Sequence, residues 1–244
     1  QMKHGSIALV GSGEYTNAMY ELDKSLISSA HKRGKSGPFI QIPTAAGQES
    51  EDRIFYWRDL GRAHAEKIGI ESKFLDIRTR EDAMNAEWLE EIKGASLIYF
   101  SGGNPSYLAN TFRDTPIWTA ICKEFFEGSS LAGCSAGAMF MGSAIPQFRL
   151  PFGKASSGLG LIPKLMVLPH YDRYFGRIPS PARSFIERSH DEAYVVGIDE
   201  NTALHMDEEG WKHYGTGRIL QLSEEPKIVT DSQGARLNLP LKIS

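Results

Sequence analysis

The strongest chemical signal in the sequence is the run Gly133-Cys134-Ser135-Ala136-Gly137. It follows the apolar stretch Ser130-Leu131-Ala132-Gly133 and leads into Ala138-Met139-Phe140-Met141, so it reads as a strand-to-helix turn. A G-x-S-x-G turn in that context is crowded, glycines at both flanks relieve the crowding, and the serine hydroxyl projects from the carboxyl edge of a sheet. Such a hydroxyl is a candidate nucleophile towards a carbonyl carbon. The helix starting at Ala136 would offer backbone N–H groups and a positive dipole end to an oxyanion. Ser135 is preferred over Cys134 because glycines stand two residues before and after it, whereas Ala132 and Ala136 hold those positions around Cys134. The thiol is therefore expected to point into the core. Taken alone, the five residues could equally be a small-residue turn that packs a helix tightly on a strand.

Two further strand ends carry matching chemistry. Phe100-Ser101-Gly102-Gly103-Asn104-Pro105 lets the backbone approach a bound carbonyl, which makes the Gly103 and Ala136 amides candidate oxyanion donors. The same run is also a helix start, with Asn104 as cap and Pro105 at the first helical position. Leu168-Pro169-His170-Tyr171-Asp172-Arg173 ends an apolar run with His170, the one histidine of seven that lies at a strand end after Ser135. That order suits a nucleophile and its general base. His4, His31, His64, His190, His205 and His213 show no metal-ligand spacing, so neither a metal nor any other cofactor is expected.

These side chains need a scaffold that gathers strand ends along one edge. Short β-type runs at Ile7–Val10, Phe39–Ile42, Lys73–Asp76, Leu97–Phe100 and Ser130–Gly133 alternate with helical patterns at Met19–Ala30, Asp52–Ile68 and Pro116–Phe126. That alternation predicts an α/β fold, a three-layer α/β/α sandwich on a mainly parallel sheet, in one domain over residues 1–244. Residues 142–163, rich in Gly, Ser and Pro, read as a surface excursion near the functional edge. Leu165–Pro169, a helical stretch at Pro181–His190, strands at Tyr194–Ile198 and Thr202–Met206, and a hairpin through Asp207–Gly210 into Trp211–Tyr214 complete the pattern.

A net charge of −3 gives no electrostatic reason to bind nucleic acid or an anionic membrane. No apolar run approaches the roughly 20 residues that span a bilayer, and the first residues lack the apolar stretch of a secretory signal. Two cysteines, Cys122 and Cys134, do not make a disulfide framework. A cytoplasmic protein is expected, with a homodimer compatible with the sequence.

Taken together, Gly11-Ser12-Gly13-Glu14, Gly102-Gly103-Asn104, Gly133 to Ala138, Pro169-His170-Tyr171 and Gly197-Ile198-Asp199-Glu200-Asn201-Thr202-Ala203-Leu204 resemble the cyanophycinase and dipeptidase E family of serine peptidases. That family shares the flavodoxin-like fold of the class I glutamine amidotransferases. The resemblance implies Ser135 as nucleophile, His170 as base, and hydrolysis of a small peptide or amide, in known members beside an aspartyl residue. Family members carry an acid between the Ser and the His, but Ala136 to Tyr171 contains no Asp or Glu. Glu14 and Asp172 are the expected replacements, ahead of Asp199 and Glu200, because both should lie on the catalytic edge. Cyanophycinases also have arginines after the His suited to gripping a carboxylate. This chain offers Arg173, Arg177 and Arg183 at a different spacing, with Pro169 in place of the Gln before the His, and Pro105 after Gly-Gly-Asn. Two other readings stay open: an amidotransferase-like binding protein that lacks full catalysis, and a glutamine amidotransferase that uses the Cys134 thiol.

Overall fold

The computed structural model describes residues 4–146, 155–175, 193–222 and 227–243. In chain order the strands are β1 (Ile7–Val10), β2 (Phe39–Ile42), β3 (Ser72–Phe74), β4 (Leu97–Phe100), β5 (Ser130–Cys134), β6 (Ala144–Ile145), β7 (Ser156–Ser157), β8 (Leu165–Leu168), β9 (Tyr194–Ile198), β10 (Thr202–Asp207), β11 (Gly210–Gly215), β12 (Ile219–Gln221), β13 (Lys227–Thr230) and β14 (Arg236–Leu237). The helices are α1 (Tyr20–Lys32), α2 (Glu51–Ile68), α3 (Arg80–Ala83), α4 (Glu87–Glu91), α5 (Pro105–Phe112), α6 (Pro116–Phe126), α7 (Ala136–Met139) and α8 (Tyr171–Tyr174).

The main sheet runs β14-β11-β10-β1-β5-β4-β2-β3. Its β1, β5, β4, β2 and β3 are parallel, and β10, β11 and β14 extend it antiparallel. The short apolar runs become strands because both sheet faces are covered. In β1, Ile7 and Leu9 enter one core while Ala8 and Val10 enter the other, and β4 divides in the same way into Ile98 and Phe100 against Leu97 and Tyr99. Strands buried on both faces are continuously apolar instead of alternating. Leu22, Leu26 and Ile27 of α1 cover one side, and Phe112, Ile117, Ile121 and Phe125 of α5 and α6 cover the other. The expected mainly parallel α/β sheet is therefore present. No described helix is long and apolar enough to cross a membrane.

Three features differ from expectation or were not specified by it. Strand β3 ends at Phe74, two residues short of Asp76, after which the chain leaves the sheet edge. Strands β8 and β9 do not join the main sheet: they pair in parallel inside a second sheet ordered β13-β12-β9-β8. One side of this sheet reaches the main core through Leu165, Val167, Val196, Ile198 and Ile219, and the other holds a separate cluster around Met166, Leu168 and Leu220. Finally, the excursion after Gly142 carries its own two-stranded pairing of β6 with β7. Residues 147–154 of that excursion and the helix expected over Pro181–His190 lie outside the described residues.

Candidate functional site

Ser135 follows β5 directly and precedes α7, at φ 55° and ψ −111°, a conformation that L-residues avoid. The backbone around it fixes this strain. The Ser135 amide donates to the Val10 carbonyl at 2.9 Å, and the Ser135 carbonyl accepts from the Ala138 and Met139 amides, both at 3.0 Å. The flanking glycines are needed for close approach: a methyl on Gly133 would lie 2.2 Å from the Gly137 carbonyl oxygen, and one on Gly137 would lie 2.1 Å from that of Phe100. Helix α7 has four residues. The macrodipole expected there is thus reduced to a single turn, and the local N–H groups carry the electrostatics.

His170 lies two residues beyond β8 in a left-handed conformation, φ 48° and ψ 39°. Its Nε2 is 3.0 Å from Ser135 Oγ, and its Nδ1 is 3.1 Å from Glu200 Oε1. Sheet register accounts for that second contact. Leu168 pairs with Gly197 in the parallel β8–β9 ladder, and two residues further on the chains set His170 beside Asp199 and Glu200. Asp199 turns away and binds Arg218, accepting from its backbone amide and its Nε, each at 2.8 Å. Glu200 takes the imidazole. The hydrogen bond from His170, with the nearby Arg173 guanidinium helping, holds its carboxyl below the usual glutamate value.

The carboxylate on the imidazole is therefore neither Glu14 nor Asp172. Glu14 lies on the other side of the serine, where its Oε2 accepts from the Gly102 amide at 3.1 Å beside the Cys134 thiol. Burial raises its pKa. Asp172 Oδ1 accepts the Glu200 backbone amide at 2.9 Å and so holds the loop that presents Glu200. Arg173 lies against Glu200 Oε1 at 3.4 Å, with its side chain 58% exposed, and does not line the cavity beside Ser135. Arg177 and Arg183 lie outside the described residues. A sequence signal for Glu200 existed in Gly-Ile-Asp-Glu-Asn at the end of β9, but the partnership of β9 with β8 was needed to give it weight.

Gly103 and Ala136 line one cavity together with Ser135 and His170. Their amides meet no acceptor among the described residues. Gly103 sits at φ 148°, and a methyl there would lie 2.3 Å from the Ala45 carbonyl oxygen, so only glycine fits. Asn104, a candidate for both roles as helix cap and as part of the substrate-binding Gly-Gly-Asn run, is the cap: its Oδ1 accepts the Tyr107 amide at 3.0 Å, and it does not line the cavity. The Cys134 thiol is fully buried. Burial and the neighbouring Glu14 carboxyl raise its pKa well above the ordinary thiol value, which disfavours the thiolate. Among the described residues, no three His, Cys, Asp or Glu side chains converge as a metal site would.

The turn after β1 holds these parts together. Val10 O receives Ser135 N–H, Gly11 O receives His170 N–H at 3.3 Å, Gly11 N–H reaches Thr202 O at 2.8 Å, and Ser12 Oγ accepts Asn201 N–H at 3.2 Å. Three loops distant in sequence therefore meet on one strand end, at the carboxyl edge where open α/β sheets place their ligands.

A mainly parallel α/β sheet that presents a strained serine to a histidine defines the class of α/β serine hydrolases. Within that class the chain belongs to peptidase family S51, whose model matches residues 7–214. The chain is similar to the cyanophycinase of Trichormus variabilis, 28% identical over 226 residues, covering 87% of this chain and 72% of that protein. It is also similar to the cyanophycinase of Synechococcus elongatus, 26% identical over 231 residues, covering 89% and 69%. The crystal structure of a peptidase from an acI-B1 Actinobacterium superposes with a TM-score of 0.86 at 42% identity, covering 95% of this chain and 96% of that one. A putative peptidase E protein from Listeria monocytogenes shares the fold, with a TM-score of 0.61 at 18% identity over 87% of this chain and 98% of that one. The chain is accordingly a serine-type peptidase.

Proposed function

We propose that this peptidase hydrolyses small peptides or amides through an acyl-enzyme on Ser135, with His170 as general base and Glu200 as the orienting acid. The observation that carries the reading is the continuous contact from Ser135 Oγ to His170 Nε2 at 3.0 Å and from His170 Nδ1 to Glu200 Oε1 at 3.1 Å. In this reading Ser135 Oγ attacks the scissile carbonyl carbon while His170 Nε2 takes its proton. The carbonyl oxygen becomes an oxyanion within reach of the Gly103 and Ala136 amides, which are donors already in place. When the tetrahedral species collapses, His170 returns the proton to the leaving amine. Water, deprotonated by the same imidazole, then cleaves the Ser135 ester. The ionised Glu200 carboxylate accepts from Nδ1–H throughout, selecting the tautomer that leaves Nε2 free to take the proton and stabilising the imidazolium that forms.

The binding-only reading rested on a missing acid, and Glu200 supplies one from outside the Ser-to-His interval. The thiol reading conflicts with the burial of Cys134 and with its raised pKa.

The test is intact-mass analysis after treatment with a fluorophosphonate. One adduct per chain is expected, mapping to Ser135, absent in Ser135→Ala, strongly slowed in His170→Ala, and retained in Cys134→Ala. An adduct on another residue, or wild-type protein that stays unlabelled, would sink the assignment.

A further inference from the structure

The Glu14 carboxyl, which does not take the imidazole, lies between the loop after β4 and the end of β5. Its Oε2 accepts the Gly102 amide at 3.1 Å, and the Cys134 thiol hydrogen-bonds the same carboxyl. We infer that Glu14 is a positioning residue of the oxyanion site: by holding the Gly102 amide, it fixes the loop in a form that leaves the next amide, that of Gly103, free for the oxyanion. The inference rests on the hydrolase reading above and gives a part to a carboxyl which that reading leaves unused.

Four consecutive amides carry the first argument. After β4 ends at Phe100, Ser101 N–H donates to Ile42 O at 3.3 Å, Gly102 N–H donates to Glu14, and Asn104 N–H donates to Ala45 O at 2.8 Å. Of the four, Gly103 N–H alone meets no acceptor among the described residues. The ties on Ser101 and Asn104 run to backbone at and just after the end of β2, whereas the tie on Gly102 is made by a side chain and comes from the β1 side. Without it, two adjacent glycines, the residues freest to rotate, would bridge the fixed ends. Rotation there re-aims the Gly103 amide, and a donor stabilises an oxyanion best when it is aimed before the charge develops.

Proximity to the nucleophile is the second argument. A methyl on Gly102 would lie 3.4 Å from Glu14 Oε2 and 3.5 Å from Ser135 Cβ. The loop is thus seated between the Glu14 carboxyl and the serine side chain itself. A shift at Gly102 changes the geometry of donor and nucleophile together, and misplacement by about 1 Å can cost about 10²-fold in rate.

Third, Glu14 is itself firmly held. Tyr15, the next residue, is buried at φ 63°, with its ring centroid 4.9 Å from that of Tyr99 and 6.0 Å from that of Phe39. The thiol on its other side belongs to the residue directly before Ser135. Burial favours the neutral carboxyl, which accepts the amide without setting a full negative charge near the developing oxyanion. A glutamine oxygen offers the same acceptor, and a leucine fills the space without one.

The experiment compares wild type, Glu14→Gln, Glu14→Leu and Glu14→Ala, each checked for folding by differential scanning calorimetry. Ser135 labelling by a fluorophosphonate is timed by intact mass, and kcat and KM are measured with p-nitrophenyl acetate. Glu14→Leu and Glu14→Ala are expected to label and turn over about 10- to 100-fold more slowly with KM changed less than about threefold, and Glu14→Gln should recover most of the loss. A residue that served stability alone would lower the melting temperature without that split between kcat and KM. Labelling of a folded Glu14→Leu protein at the wild-type rate overturns the assignment while leaving the hydrolase reading intact. So does a Glu14→Gln protein as slow as Glu14→Leu, because the acceptor is then not what matters. If neither Glu14→Leu nor Glu14→Ala folds, Glu14 serves the fold and the positioning role is likewise overturned. Wild-type protein without a Ser135 adduct overturns the hydrolase reading itself, and the positioning role with it.

Discussion

At Ser135 the backbone is held at a positive φ that costs of the order of 1–3 kcal/mol, and the hydrogen bonds to Val10, Ala138 and Met139 keep it there. Ser135→Gly removes the strain together with the hydroxyl, so it should melt higher than Ser135→Ala while both lack activity, as differential scanning calorimetry beside a peptidase assay would show. Glu200→Gln keeps the shape of the contact to Nδ1 but loses the charge and permits the wrong tautomer. It should lower kcat by about 10⁴-fold with little change in KM, whereas Asp172→Ala, which removes only the acceptor for the Glu200 amide, should cost far less. Glu14 gives a pH signature. Burial raises its pKa in the folded state, so the folded protein favours the protonated form. Its contribution to stability is accordingly present at low pH and falls as pH rises from the ordinary glutamate value through the raised one. Glu14→Gln keeps an acceptor for the Gly102 amide without the charge. Its melting temperature should exceed wild type under mildly alkaline conditions and match it in acid, and no gain in alkali would contradict the burial of an ionisable Glu14.

The elements meet through backbone contacts that leave no room for side chains. Gly137→Ala pushes a methyl into the Phe100 carbonyl oxygen at 2.1 Å. A loss of about 1–3 kcal/mol is expected from overpacking, read as a lower urea midpoint, with a further loss of activity because Ser135 is displaced. Asn104→Ala is the contrasting case. It should cost about 1 kcal/mol of stability through the lost cap of α5 and leave kcat/KM nearly unchanged, because Asn104 does not face the cavity. Reading the sequence identified the serine turn, the strands β1, β2, β4 and β9 with their limits, and a histidine in reach of the serine, since each depends on local periodicity and turn chemistry. It ranked Glu200 behind Glu14 and Asp172 as the partner of the histidine, because Glu200 reaches His170 through the pairing of β8 with β9, a contact between elements that no local pattern encodes. It left the neighbours of β8 and β9 unassigned, because an apolar run gives strand character without naming its partners.

Across the whole molecule, the antiparallel extension of the sheet buries an ionisable group far from the serine. His205 of β10 is 8% exposed, and burial lowers its pKa from 6.5 to about 4, against an opposing pull from Asp207 and reinforcement from Lys212, Arg236 and His213. The unfolded chain binds the proton more readily, so this contribution is intact above the unfolded value and is lost as pH falls from 6.5 to about 4. The full shift corresponds to a loss of the order of 3 kcal/mol. Urea unfolding at a series of pH values should show the decline, and His205→Gln should flatten it, whereas an identical slope in the variant would exclude His205 as its source.

The junction at the end of β1 also bears on how the protein comes into being. Ser12 meets Asn201 across 189 residues of chain, and the serine is separated from its histidine by 35 residues and the histidine from Glu200 by a further 30. Synthesis delivers these groups in order, the β1 turn first and Glu200 last. A nascent chain that has already formed the serine turn still lacks the proposed base and the carboxylate proposed to orient it. Under the proposed mechanism, hydrolytic competence therefore waits for the synthesis of Glu200, and a product terminated before it would lack a complete cutting site.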